Sequence, residues 1–366
     1  MERNPQPLPR LLVRRIAKLT LALAALALTA GVLVGAVVDG PEQTAPEARA
    51  AAREAARPAG KPVVLAFGGD VHFESTIGSE LRAAPRSVLD SIGPVLRRAD
   101  LAVVNLETAV TSGGAAASKE FVFRAPPSAF SALAAGGVDV ASMANNHGMD
   151  YGEAGLRDSL AAAKRQRFPV IGIGLNDAQA YRPYRTTLNG QRIAVIGATQ
   201  VLDDHLISAW TAGPGKPGLA SAKDVPRLLR AVRQARASSD TVVVFLHWGI
   251  ELQQCPSADQ RALAKQLTAA GADVVVGGHA HRLQGAGRMG NALVGYGLGN
   301  FVWYGTSELS TQTGVLLVTM NGRRVVGYRW EPARIVDGTP RPLTGAARRA
   351  EIASWRSLRG CTGLQP

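Results

Sequence analysis

The sequence predicts an α/β fold built on buried strands, and three observations carry that expectation. Apolar β-branched runs alternate with amphipathic stretches from Pro62 to Glu331. Two antiparallel hairpin patterns interrupt the alternation, which calls for a mixed sheet, or for two sheets packed between helices. A hydrophobic fraction of 46% beside a charged fraction of 19% excludes the disordered class for the bulk of the chain. At roughly 100–200 residues per domain, the length allows one large domain or two ordinary ones.

The first 40 residues stand outside that fold. Arg3, Arg10, Arg14, Arg15 and Lys18 precede an uncharged run of 20 residues from Leu19 to Val38. Such a run is about long enough to cross a ~30 Å hydrocarbon core as a helix. Its basic flank belongs on the cytoplasmic side, which places the rest of the chain outside. An uncleaved membrane anchor and a cleaved signal peptide both fit; the apolar core of the latter usually spans only ~7–15 residues. Residues 41–60, rich in Ala, Pro, Glu and Arg, read as a linker.

Strands are expected at Val63–Phe67, Leu101–Asn105, Val138–Ser142, Val170–Gly172, Ile193–Gly197, Thr241–Leu246 and Val274–Gly277. Helices are expected at Pro85–Arg98, Ser128–Ala135, Gly152–Gln166, Ala222–Ala237 and Ala258–Ala270. The hairpins fall at Tyr184–Leu188 with Arg192–Ile196, and at Gly314–Met320 with Arg324–Trp330. Asn-Gly occupies the turn of each, at 189–190 and 321–322. These elements make one domain over 61–336, and residues 337–366 read as a tail without clear strands.

Charge and cysteines narrow the setting. The net charge of +13 divides into +3 on residues 1–40, none on 41–60, +7 on 61–336 and +3 on 337–366. A domain of that sign favours anionic partners. Nucleic acid is excluded as an expected partner, because neither a recognition-helix pattern nor aromatic-basic interleaving is present. Two cysteines, Cys255 and Cys361, exclude a disulfide scaffold and a Cys-rich metal fold. A bond between them suits an oxidising compartment, but their separation in space is not readable from sequence.

The chemistry is positional. Five of the six histidines follow the C-terminal ends of expected strands, where open α/β sheets bind ligands. Gly69-Asp70-Val71-His72 follows the first strand, and Asn105-Leu106-Glu107 the second. Asn145-Asn146-His147 with Asp150 follows the third. His247-Trp248-Gly249 and Gly278-His279-Ala280-His281 follow two later ones. Imidazole and carboxylate donors converging on one sheet edge suit divalent metals. Seven donors exceed one tetrahedral ion's needs, and a bridged pair of ions would use them. Arg124 is a candidate to contact an anionic substrate bidentately.

Together with Phe123-Arg124-Ala125-Pro126, Asp150-Tyr151-Gly152, Glu251, Gln284 and Tyr296-Gly297-Leu298-Gly299-Asn300-Phe301, these motifs resemble the CapA capsule-biosynthesis family. That family looks like a branch of the calcineurin-like metallophosphoesterases, and the resemblance runs from about Pro62 to Trp303. It implies a four-layer αββα fold of two mixed sheets between helical layers. It implies two divalent ions, Mn, Fe or Zn. Asp70, His72 and His281 would hold one, and Asn146, His247 and His279 the other. Glu107 would bridge them where phosphoesterases usually have Asp. His147 would act as general acid, oriented by Asp150. It implies poly-γ-glutamate or a phosphoester as substrate, and a capsule synthase or export complex as partner. Three functions fit: a membrane-anchored extracytoplasmic hydrolase of capsule synthesis, a non-catalytic accessory that binds or exports an anionic polymer, and a general metallophosphodiesterase.

Overall fold

In the computed structural model the described residues are 60–366. The basic stub, the apolar run and nearly all of the expected linker lie outside them. Among the described residues no helix is long and apolar enough to cross a membrane.

Side-chain alternation along the strands sets the layers. In Val63–Val71, Val63, Leu65 and Phe67 face one way and Ala66 the other. In Leu101–Leu106, Leu101 and Val103 share the first face, while Ala102, Val104 and Leu106 share the second. Strand Thr241–Trp248 splits likewise, with Val243 and Phe245 on one side and Val242, Val244 and Leu246 on the other. Leu65, Phe67, Val103, Val243 and Phe245 meet in one central core, so two sheets pack face to face there. The outer face of the first sheet is covered by helices Thr76–Ala83, Ser128–Gly136 and Gly152–Gln166. Helices Val225–Arg236 and Ala258–Ala269 cover the outer face of the second. The result is the expected αββα stack.

Both sheets are mixed. The first has eight strands, seven of them in the order Thr339–Pro342, Arg324–Val336, Gln312–Asn321, Val63–Val71, Leu101–Leu106, Val140–Ser142 and Val170–Ile171. The eighth, Asn300–Val302, pairs in parallel with the C-terminal end of Val63–Val71. The second sheet runs Ala286–Met289, Ala292–Gly295, Val274–His279, Thr241–Trp248, Gln191–Thr199, Tyr184–Leu188. Its whole chain segment is inserted between the Val170–Ile171 and Asn300–Val302 strands of the first.

Local signals explain most element ends. Ser257 and Gln260 form a reciprocal capping box at the start of Ala258–Ala269. Asp224 caps Val225–Arg236, and Gly137 ends Ser128–Gly136 at φ 91°. At the first hairpin Asn189 and Gly190 both have positive φ, 51° and 82°, as a two-residue primed turn needs. The second turn shifts by one residue from the expected place. Asn321 pairs with Arg324, so Gly322 and Arg323 make the turn.

Three segments differ from the sequence reading. Pro85–Arg98 is not one helix but a short 3-10 turn at Pro85–Ser87 and a single turn at Gly93–Leu96. Pro94 removes an amide donor that an interior helical position would need. The apolar spacing was real, since Val88, Leu89, Ile92, Val95 and Leu96 are all buried. The strands Ala286–Met289 and Ala292–Gly295 had no strong alternation to reveal them. Residues 337–366 are also built into the fold. They contain strand Thr339–Pro342 and helix Gly345–Ser357, whose Trp355 stacks on Trp330 at 5.2 Å between ring centroids. Cys361 is disulfide-bonded to Cys255, with Cα atoms 5.7 Å apart.

Candidate metal centre

The site forms where the C-terminal strand ends of the two sheets meet. Gly68 and Gly69 interrupt the register between Val63–Val71 and Leu101–Leu106, and this turns Asp70 into the seam. Asp70 Oδ2 accepts the His279 amide N–H at 2.9 Å, a bond between the sheets. Gly278 makes that approach possible: a Cβ there would stand 2.0 Å from Asp70 Oδ1. His279 and His281 themselves hold positive φ, 90° and 50°, an uncommon conformation for non-glycine residues that clusters at functional sites.

Glu107 is the hub. Its Oε1 lies 3.5 Å from His247 Nε2 and 4.0 Å from both His281 Nε2 and His147 Nε2. Two donor sets share it. Asp70, Glu107 and His247 form one and Glu107, His279 and His281 the other, each with ligand atoms within 4.8 Å of one another. The expected division placed Asp70 with His281 and His247 with His279. In keeping with that division, His281 Nδ1 lies 3.5 Å from Asp70 Oδ2 and the His247 and His279 ring centroids lie 4.7 Å apart, so Glu107 touches both groups without separating them. Asn146 joins through its Oδ1, 2.7 Å from His247 Nε2.

His72 falls in neither set. It is buried, its Nδ1 accepts the Glu74 amide N–H at 3.1 Å, and its ring packs on Phe123 and Trp303. His147 stands against the cluster with its ring stacked on Phe123 at 4.0 Å. Its Nδ1 lies 2.6 Å from Asp150 Oδ2. Arg124 is exposed, with its guanidinium over the Tyr151 ring at 4.7 Å.

Three further residues support the site. Asn105 Nδ2 donates to Asp70 Oδ1 at 2.8 Å and lies 3.1 Å from His247 Nδ1. Asn145 holds Asn105 in turn, donating to its Oδ1 at 2.9 Å. Asn105 stands beside Glu107 at a strand end, and that position was its only sequence signal. Lys119 is the second. Lys119 Nζ lies 3.1 Å from Asp150 Oδ1 and donates to the Asn146 carbonyl at 2.5 Å. Asn300 is the third, with Oδ1 2.9 Å from His281 Nδ1. Gln284 serves as support, its Oε1 accepting from Gln260 Nε2 at 2.9 Å.

Burial governs the charge states. It pushes Glu107 well above the ordinary carboxylate range, and neighbouring Asp70 adds to the effect. Burial first, then neighbouring histidines, lowers His72 and His279 to about 3. His247 is held well below its ordinary value for the same reasons. His147 is also lowered by burial, against the opposing pull of Asp150. Neutral imidazoles keep a free lone pair, as metal ligands require. Glu107 Oε1, His72 Nε2 and His279 Nδ1 are buried without a hydrogen-bond partner. Buried polar atoms are rarely left so, and a cation beside Glu107 would satisfy its Oε1. The nitrogen and oxygen donor set fits a divalent metal.

Two mixed sheets between helices, with carboxylates and imidazoles gathered at the seam of their strand ends, define a two-sheet α/β domain with a candidate metal centre. Within that class the chain belongs to the bacterial capsule synthesis protein PGA_cap family, whose model matches residues 64–304. It is 31% identical over 265 residues to the PGA biosynthesis protein CapA of Bacillus subtilis, covering 70% of this chain and 67% of that one. It is 31% identical over 271 residues to the capsule biosynthesis protein CapA of Bacillus anthracis, covering 71% and 64%. A Mycobacterium tuberculosis protein named probable polyglutamine synthesis accessory protein is 28% identical over 189 residues, half of each chain. The chain thus spans about two thirds of the length of the Bacillus relatives.

Proposed function

We propose that the chain is a membrane-anchored, extracytoplasmic hydrolase of poly-γ-glutamate capsule synthesis that works with two divalent ions. The observation that carries this reading is Glu107. Its buried, unpartnered Oε1 stands between three imidazoles at 3.5–4.0 Å, an arrangement suited to a cation. Asp70, Asn146, His247, His279 and His281 would complete the ligand set, with His72 Nε2 as a further donor. Bound there, the ions would supply Lewis-acid charge stabilisation and lower the pKa of water at neutral pH.

The remaining residues divide the other tasks. His147 Nε2 faces the cluster and delivers a proton to the leaving oxygen or nitrogen. Asp150 receives the Nδ1 side and fixes the ring, and Phe123 holds its face. Arg124 offers a guanidinium to an anionic substrate, either a phosphoester or the carboxylates flanking an amide of polyglutamate. The apolar run at Leu19–Val38, which tethers or exports the chain, lies outside the described residues.

A second reading is a non-catalytic accessory that holds the polymer, and the name of the mycobacterial relative favours it. One experiment separates the two. Metal analysis of the purified chain should find about two divalent ions, and none after loading would overturn the metal reading. His147→Ala should keep the metal. Loss of polymer production in that variant supports catalysis, and full production supports the accessory role.

A further inference from the structure

The opposite end of the smaller sheet carries a basic surface that the metal centre does not use. Strand Val274–His279 starts beside Asp273. That end lies roughly 20 Å from His279, at about 3.3 Å per strand residue. An open pocket of about 680 Å³ is lined there by Lys265, Arg288, Arg323 and Arg324. A second, of about 470 Å³, is lined by Arg356 and Arg359. The two adjoin, because Arg288 in the first and Gln365 in the second exchange backbone hydrogen bonds of 2.7 and 3.0 Å.

The charge of this tract is not cancelled locally. Asp273 is the one acid in either lining. It is already engaged by Arg236 Nη1 at 2.5 Å and Arg323 Nε at 3.4 Å. Lys265, Arg324 and Arg356 are exposed and make no ion pair among the described residues. Cations spread over two adjoining concave linings do not converge on one small anion. They suit a flexible chain that bears many carboxylates and can meet several cations at once. Arginine forks match carboxylates bidentately. A lipid headgroup plane would be met better by a convex face.

We propose that this tract binds a polycarboxylate chain, the polyglutamate of the preceding reading, on which the inference rests. The polymer would be held here while the metal cleft acts on another part of it. The test uses the full chain in neutral detergent, titrated with fluorescent polyglutamate. Lys265→Glu, Arg324→Glu and Arg356→Glu together should weaken binding at least tenfold. Metal content should stay unchanged, and wild-type affinity should fall as salt is raised. Unchanged polymer affinity in the triple variant overturns the proposal. So does a variant that loses affinity only for micelles containing phosphatidylglycerol, which would reassign the surface to lipid. Metal content and the His147→Ala outcome are read separately, so a failed catalytic reading and a failed docking surface are distinguishable.

Discussion

Asp150 Oδ2 lies 2.6 Å from His147 Nδ1, and the same oxygen accepts the Phe123 amide N–H at 2.6 Å. The carboxylate therefore fixes both the imidazole and the residue whose ring lies flat against it. Lys119 holds the other oxygen at 3.1 Å. Ring orientation, tautomer and stacking depend on one buried side chain.

Asp150→Asn should preserve the fold and the metal content but lower hydrolysis by roughly 10²–10⁴-fold, the usual worth of a positioned acid–base group. Lys119→Met should have a smaller effect of the same kind. The measurement is kcat against pH on an aryl phosphodiester, with metal content determined in parallel. An Asp150→Asn rate equal to wild type would remove His147 from the acid role.

Gly278→Ala should destroy the centre without touching a donor. The added Cβ would stand 2.0 Å from Asp70 Oδ1, so the inter-sheet bond to His279 must break or the strand must shift. Overpacking of this kind costs about 1–3 kcal/mol. The expected outcome is loss of bound metal together with a lower urea midpoint.

The metal-free protein should lose stability as pH falls below about 6.5. Unfolded histidines take up a proton near 6.5, whereas His72 and His279 in the fold stay neutral down to about 3. Between those values the unfolded state binds more protons, so stability falls with pH and is fully present above 6.5. Urea midpoints in the presence of a chelator, taken from pH 7 to 5, read this; buried Glu107, raised well above the ordinary range, contributes with the opposite sign, so the histidine share is isolated by variants. His72→Gln with His279→Gln should flatten the slope. An equal slope in the double variant would assign the effect elsewhere.

Reduction should loosen the chain's C-terminal part. The Cys255–Cys361 bond closes a sequence separation of 106 residues, and removing such a bond typically costs about 2–5 kcal/mol. Cys361→Ser should lower the melting temperature measurably. The wild-type protein under dithiothreitol should match the variant.

Much of this molecule was legible in its sequence, for identifiable reasons. Strands such as Thr241–Trp248 are buried on both faces, so they read as unbroken apolar runs, and the donors at their ends stand out against them. Asp70, Glu107, His247, His279 and His281 were found because short motifs deliver them. What stayed hidden depends on contacts between distant segments. Lys119 sits in a Gly/Ala/Ser loop and gains meaning only beside Asp150. The approach of His247 and His281 to one Glu107 oxygen follows from how the two sheets meet, which no local pattern records. Residues 339–342 were missed because two prolines in four residues do not resemble a strand, and they are tolerated at the edge of the larger sheet.

The smaller sheet comes entirely from the segment between Ile171 and Asn300, while the larger one is made of the chain on both sides of it. Asp70, Glu107 and Asn146 belong to the host, and His247, His279 and His281 to the guest. An ion held by both would act as a staple between them, and its binding energy would be docking energy. Occupancy of the centre should therefore govern how readily the guest sheet breathes away from the host. Hydrogen exchange along the inner strands would read metal affinity as directly as a titration does.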